Sequence, residues 1–136
     1  MRDFFIDSSA LYALADHTDQ GYAEARAFLK GNRGRFFLTS LVFVEAMSLL
    51  TKRVGKARAV GVGNWILASE SFPLLHVDAA MQREAWRMFE GHADKDWDMV
   101  DCSSFAFMRR HGLRTAFSFD RHFAQAGFQV VPERQG

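Results

Sequence analysis

Phe4-Phe5-Ile6-Asp7-Ser8-Ser9-Ala10-Leu11-Tyr12-Ala13-Leu14-Ala15 changes character partway along. Residues 4–6 are uniformly apolar and β-prone, Asp7-Ser8-Ser9 is turn-forming, and the segment from Ala10 consists of good helix formers behind a serine cap. The stretch therefore predicts strand, turn and helix, with a carboxylate at the end of the strand. The rest of the chain continues the alternation. A helix over residues 22–29 is ended by Gly31 and Gly34, and Phe36-Phe37-Leu38 is a second buried strand. Thr39 or Ser40 caps the next helix, in which Leu41, Val44, Met47 or Ser48, and Leu49 recur at helical spacing and Glu45 lies about one turn in.

Residues 56–71 read as helical despite Gly61 and Gly63, and Leu74-Leu75-His76-Val77 as a third strand. Asp78 caps a helix through about Glu90, and residues 91–98 form a polar loop. A further helix over residues 100–111 stops at Gly112. Ala116-Phe117-Ser118-Phe119 and Phe128-Gln129-Val130-Val131 are the fourth and fifth strands. Short apolar strands alternating with helices predict an α/β protein, a three-layer α/β/α sandwich on a parallel sheet of about five strands.

Composition sets bounds on this reading. The 136 residues suit one domain spanning 1–136, and 49% hydrophobic content with two prolines argues against long linkers. No apolar stretch is long enough to cross a bilayer, and acids interrupt the start of the chain where a signal peptide needs an apolar region, so a cytoplasmic protein is expected. Cys102 is the one cysteine, which excludes an internal disulfide and reads as a small buried hydrophobe. Seventeen basic residues against 16 acidic ones give +1, too little for binding nucleic acid by bulk charge. Basic residues are nevertheless grouped around 52–58 and 109–121.

In an open parallel sheet ligands bind beyond the carboxyl ends of the strands. Asp7 follows the first strand, Asp120 follows the fourth, Asp101 opens the helix before the fourth, and Glu45 lies early in the helix after the second. All four can face one edge. Each alone has an ordinary reading as a cap or a helix-dipole partner. Converging without cations they would repel one another, and a hard divalent ion removes that penalty.

These residues resemble the PIN-domain nucleases and, within them, the VapC toxins of bacterial VapBC pairs. The resemblance runs through Phe5-Ile6-Asp7-Ser8-Ser9-Ala10-Leu11, then Thr39-Ser40-Leu41-Val42-Phe43-Val44-Glu45-Ala46 and Asp96-Trp97-Asp98-Met99-Val100-Asp101-Cys102-Ser103-Ser104-Phe105, and ends in Thr115-Ala116-Phe117-Ser118-Phe119-Asp120-Arg121-His122-Phe123. It implies Mg2+- or Mn2+-dependent cleavage of RNA, a homodimer, and inhibition by a small antitoxin. By position Asp7, Glu45, Asp101 and Asp120 match the acidic quartet, and Ser9 and Ser118 match supporting hydroxyls. Asp98 departs from the small polar residue common among relatives and reads as a helix cap.

With water as the nucleophile the products carry 5′-phosphate and 3′-hydroxyl ends. Arg109, Arg110, Arg114, Lys52 and Arg53 are candidates for gripping phosphates. The histidines, His122 included, show no paired ligand spacing and are expected at the surface or behind the ligands. Trp65, Trp86, Phe105, Phe107 and Phe117 are expected in the core, and Leu11, Tyr12 and Phe28 at a partner groove. The competing reading is a non-catalytic module of the same fold that binds RNA or a partner.

Overall fold

Segments of consecutive apolar, β-prone residues need cover on both faces, which a parallel sheet between two helical layers provides. The structure, a computed structural model, describes residues 2–133. Its elements are β1 (Arg2–Ile6), α1 (Ser8–Ala15), α2 (Tyr22–Gly31), β2 (Gly34–Thr39), α3 (Ser40–Val54), α4 (Lys56–Ala68), β3 (Leu74–Leu75), α5 (Ala79–Gly91), α6 (Met99–Arg110), β4 (Thr115–Phe117), α7 (His122–Gln125) and β5 (Gln129–Val131). The strands form one sheet in the order β3-β2-β1-β4-β5, every pair parallel.

The central strand β1 sets Phe4 beside Phe36 of β2 and Ile6 beside Phe117 of β4. Phe4, Phe5 and Ile6 are fully buried. Ring contacts assign the faces: Phe4 meets Phe28 of α2 at 5.5 Å, whereas Phe5 meets Phe107 of α6 at 5.8 Å and Phe123 of α7 at 5.9 Å. Helices therefore cover both sides, in the expected three layers. Burying one such side chain stabilises by roughly 1.5–3 kcal/mol, and Phe4, Phe5, Phe36, Phe105, Phe107, Phe117 and Phe123 belong to one cluster that joins the layers.

After β1 the chain builds outward through β2 and β3, then returns to the other side of β1 for β4 and β5. The strand order reverses between β1 and β4. A crevice opens at such a point beyond the carboxyl ends of the two strands, and Asp7 and Ser118 are the residues that leave those ends.

Several boundaries differ from the sequence reading. Gly34 does not end α2 but begins β2, where a Cβ would lie 2.2 Å from the Arg2 carbonyl oxygen, so the close approach of two strands requires glycine. The helix α4 ends at Ala68, β3 excludes His76 and Val77, and β4 stops at Phe117 before Ser118 and Phe119. Helix α7 follows Asp120 in a segment too short to show periodicity. Trp65 and Trp86 are about half exposed instead of buried, while Phe105, Phe107 and Phe117 are core residues. Cys102 is buried, and desolvation pushes its thiol up to about 11.

Candidate metal centre

Asp7 ends β1 and caps α1, and this double duty fixes its carboxylate. The cap is Asp7, not a serine: its Oδ1 accepts from the Ala10 amide at 3.0 Å and from the Ser9 hydroxyl at 2.7 Å. Its Oδ2 accepts from the Ser118 hydroxyl at 2.6 Å. Each hydroxyl also ties in the segment after β4, because Ser9 Oγ accepts from the Phe119 amide and Ser118 Oγ from the Asp120 amide, both at 2.9 Å. The first strand, the first helix and the loop after the fourth strand are thereby locked around one carboxyl group. Asp7 is only 6% exposed. Burial pushes it up to about 6 against the opposing pull of the Ser118, Ser9 and Ala10 hydrogen bonds, and the Asp120 charge adds to the rise.

Asp101 arrives from the opposite layer, in the first turn of α6. It forms a capping box with Asp98: Asp98 Oδ1 accepts from the Asp101 amide at 2.8 Å, and Asp101 Oδ2 accepts from the Asp98 amide at 3.1 Å. Asp98 is thus the helix cap that the sequence suggests. Asp101 is also raised to about 6, chiefly by burial and further by the Asp98 and Asp120 charges, with the Asp98 amide and His122 opposing. Asp16 makes a useful contrast. Hydrogen bonds from the Tyr12 hydroxyl at 2.5 Å and from Thr18 hold it at about 2, so it reads as a satisfied structural carboxylate.

Asp120 links the other two acids electrostatically, since its charge acts on both Asp7 and Asp101. Its Oδ1 accepts from the His122 amide at 2.9 Å. The His122 ring turns back into the cluster, with Nδ1 2.8 Å from Asp101 Oδ2 and 3.1 Å from Asp120 Oδ2. Sequence reasoning set this histidine aside because its spacing to Asp101, across a helix and a strand, carries no signal. Glu45, half-buried in α3, accepts a short hydrogen bond from the Ser8 hydroxyl, which ties it to the residue after Asp7.

The structure therefore brings Asp7, Asp101 and Asp120 to one crevice and attaches Glu45 at its edge through Ser8. Among the described residues no lysine or arginine forms an ion pair with these four acids. Oxygen donors and two raised carboxyls, with no described lysine or arginine paired to them, fit a hard divalent ion. Ligand atoms of Asp101, Asp120 and His122 lie within 4.8 Å of one another, close enough for one ion to reach all three.

The phosphate-gripping candidates fall elsewhere. Helix α6 runs away from the crevice, so Arg109 is about 12 Å along the axis from Asp101 at 1.5 Å per residue. Arg110 pairs with Asp78 at 3.9 Å, and Arg114 immediately precedes β4, at the opposite sheet edge from the acids. Lys52 and Arg53 lie in the last turn of α3, about 10 Å or more beyond Glu45, with Arg53 over the Tyr12 ring at 5.0 Å. Helix direction is the reason these cations are not brought to the acids.

The anticipated partner residues also need correction. Leu11 and Tyr12 are buried and Phe28 is half-buried among aromatic rings. A groove of about 370 Å³ nevertheless lies on that side of the molecule, between α1, α2 and α4, lined by Leu11, Leu14, Leu29, Val62, Trp65, Arg26 and Arg58 among others.

Comparison with known proteins finds relatives of this chain and of its fold. The sequence pattern of the PIN domain matches residues 4–129. The chain is 32% identical over 130 residues to the 23S rRNA-specific endonuclease VapC20 of Mycobacterium tuberculosis, covering 95% of this chain and 98% of that protein. The crystal structure of Mycobacterium tuberculosis VapC20, described as a sarcin-ricin-loop-cleaving toxin, matches with a TM-score of 0.87 at 30% identity over 92% of this chain and 95% of that one. DNA-bound VapBC from Salmonella typhimurium matches with a TM-score of 0.71 at 14% identity over 96% of this chain and 97% of that one, a likeness of fold alone.

Proposed function

The chain belongs to the PIN-domain family, and on that premise we propose that it is a Mg2+- or Mn2+-dependent endoribonuclease acting as the toxin of a toxin–antitoxin pair. One observation carries the reading: Asp7 is buried against neutral hydroxyls beside Asp120, and no described lysine or arginine pairs with it. A stable fold gains nothing from a carboxylate held up at about 6, whereas a divalent ion uses it. Asp7, Asp101 and Asp120 are the residues that would hold the metal, with Glu45 directly or through water. Bound there, a divalent ion supplies Lewis-acid stabilisation of phosphoryl charge and a water of lowered pKa.

The protein's own groups do the positioning. Ser9 and Ser118 fix both oxygens of Asp7, and the Asp98 amide holds Asp101. Ser8 orients Glu45 toward the same edge. Attack by water on the phosphorus with departure of the 3′ oxygen, which takes up a proton, leaves a 5′-phosphate and a 3′-hydroxyl. The likeness to VapC20 makes the sarcin–ricin loop of 23S rRNA the first substrate to try, and the groove between α1, α2 and α4 the surface to test for an antitoxin segment. A homodimer is part of the same proposal. Incubation with this RNA and Mg2+ or Mn2+ should give cleavage that EDTA stops and that Asp7→Asn and Asp101→Asn each abolish. Cleavage that persists through both substitutions, or in EDTA, contradicts the proposal.

A further inference from the structure

We propose that His122 is itself a metal ligand, giving the centre a nitrogen donor and a preference for Mn2+ over Mg2+. This deepens the proposed function and rests on it. The ring does not point to solvent: its side chain is 17% exposed, and Nδ1 is directed at two carboxylate oxygens from different elements, 2.8 Å from Asp101 Oδ2 and 3.1 Å from Asp120 Oδ2. An octahedral ion with bonds of about 2.1 Å places neighbouring ligand atoms about 3.0 Å apart. The two observed separations are therefore those of adjacent corners of one coordination shell. The same separations allow an Nδ1–H shared by both carboxylates, so the choice between ligand and hydrogen-bond bridge turns on what else fixes the ring.

Asp120 Oδ1 accepts from the His122 amide at 2.9 Å, which closes a compact turn and holds Asp120 and His122 as one unit. The following Phe123 is fully buried against Phe5 and Phe105, so α7 cannot swing the ring away without opening the core. A pre-positioned imidazole costs little to recruit when an ion enters and takes the place of the Nδ1 proton. Imidazole also discriminates between metals: it suits transition ions, and carboxylate oxygens alone do not separate Mn2+ from Mg2+ strongly. Replacing His122 should thus weaken Mn2+ far more than Mg2+.

The test is pulsed electron paramagnetic resonance of Mn2+ added to the metal-free, full-length protein, with Mn2+ and Mg2+ affinities measured alongside. The wild type should show 14N modulation from a directly bonded nitrogen. His122→Ala and His122→Asn should both lose it, and Mn2+ affinity should fall about tenfold or more, with a smaller change for Mg2+. Asparagine keeps an N–H donor for Asp101, so a purely positioning histidine predicts that His122→Asn retains wild-type Mn2+ affinity. That result, or Mn2+ bound by the wild type with no 14N coupling, overturns the ligand role and leaves the nuclease proposal intact. No Mn2+ binding by the wild type overturns both.

Discussion

Asp7, in the proposed metal centre, is a residue whose burial works against its charged form. Its folded value of about 6 lies above the ordinary carboxyl value of 3.8, so the neutral carboxyl is favoured by folding. The stability this confers is fully present below about pH 4 and is lost as pH rises through 6. Asp101 is shifted the same way and to about the same value. In EDTA the melting temperature should therefore fall between pH 4 and pH 7, and calorimetry at several pH values checks this; a melting temperature that rises across that interval would contradict it. Asp7→Asn removes the buried charge while keeping a capping side chain. We expect this variant, in EDTA at pH 8, to gain about 1–3 kcal/mol and several degrees, with no gain at pH 4 and no RNA cleavage. Loss of stability at pH 8 would show that the charge is not the strained element.

Elements were legible to the extent that their own residues define them. The strand ends at Asp7 and Thr39, the caps at Asp78 and Asp98, and the stop at Gly112 all depend on local chemistry, and the structure has them where that chemistry points. Boundaries set by tertiary contact were not. Gly34 looked like a helix terminator because the strand that presses on it, β1, is 32 residues away in register. Helix α7 and the inward turn of His122 depend on Phe123 entering the core and on Asp101 from another layer. The capping box of α6 yields a prediction at this scale. Asp98→Ala should destabilise by about 1 kcal/mol, and Asp98→Ser, which restores a cap, by much less. Thermal melts distinguish the two, and both should still bind Mn2+, since Asp98 holds the helix that carries Asp101. Loss of Mn2+ binding in Asp98→Ser would assign Asp98 to the metal instead.

For the whole molecule the alternation of strands and helices was sufficient for the three layers and the parallel sheet, because uniformly apolar strands leave few other ways to be covered. The acids converge because the topology delivers Asp7, Asp101 and Asp120 to the reversal point between β1 and β4. The cations lie apart from these acids for the complementary reason: a crossover helix that starts at the carboxyl edge must end at the other, so Arg109 and Arg110 sit in the last turn of α6 and Arg114 just beyond it. Replacing these three by alanine should leave cleavage of a short stem–loop RNA within about twofold, as expected of cations outside the reach of the cleaved phosphate; a tenfold loss in a gel assay would mean that the substrate wraps round the sheet. No described helix is long and apolar enough to cross a membrane. The proposed chemistry requires that the crevice hold a divalent ion. Isothermal titration of Mn2+ into the metal-free protein at pH 7.5 asks this directly: the wild type should bind, and Asp7→Asn and Asp101→Asn should each bind about tenfold or more weakly. Equal affinity in all three proteins would contradict it.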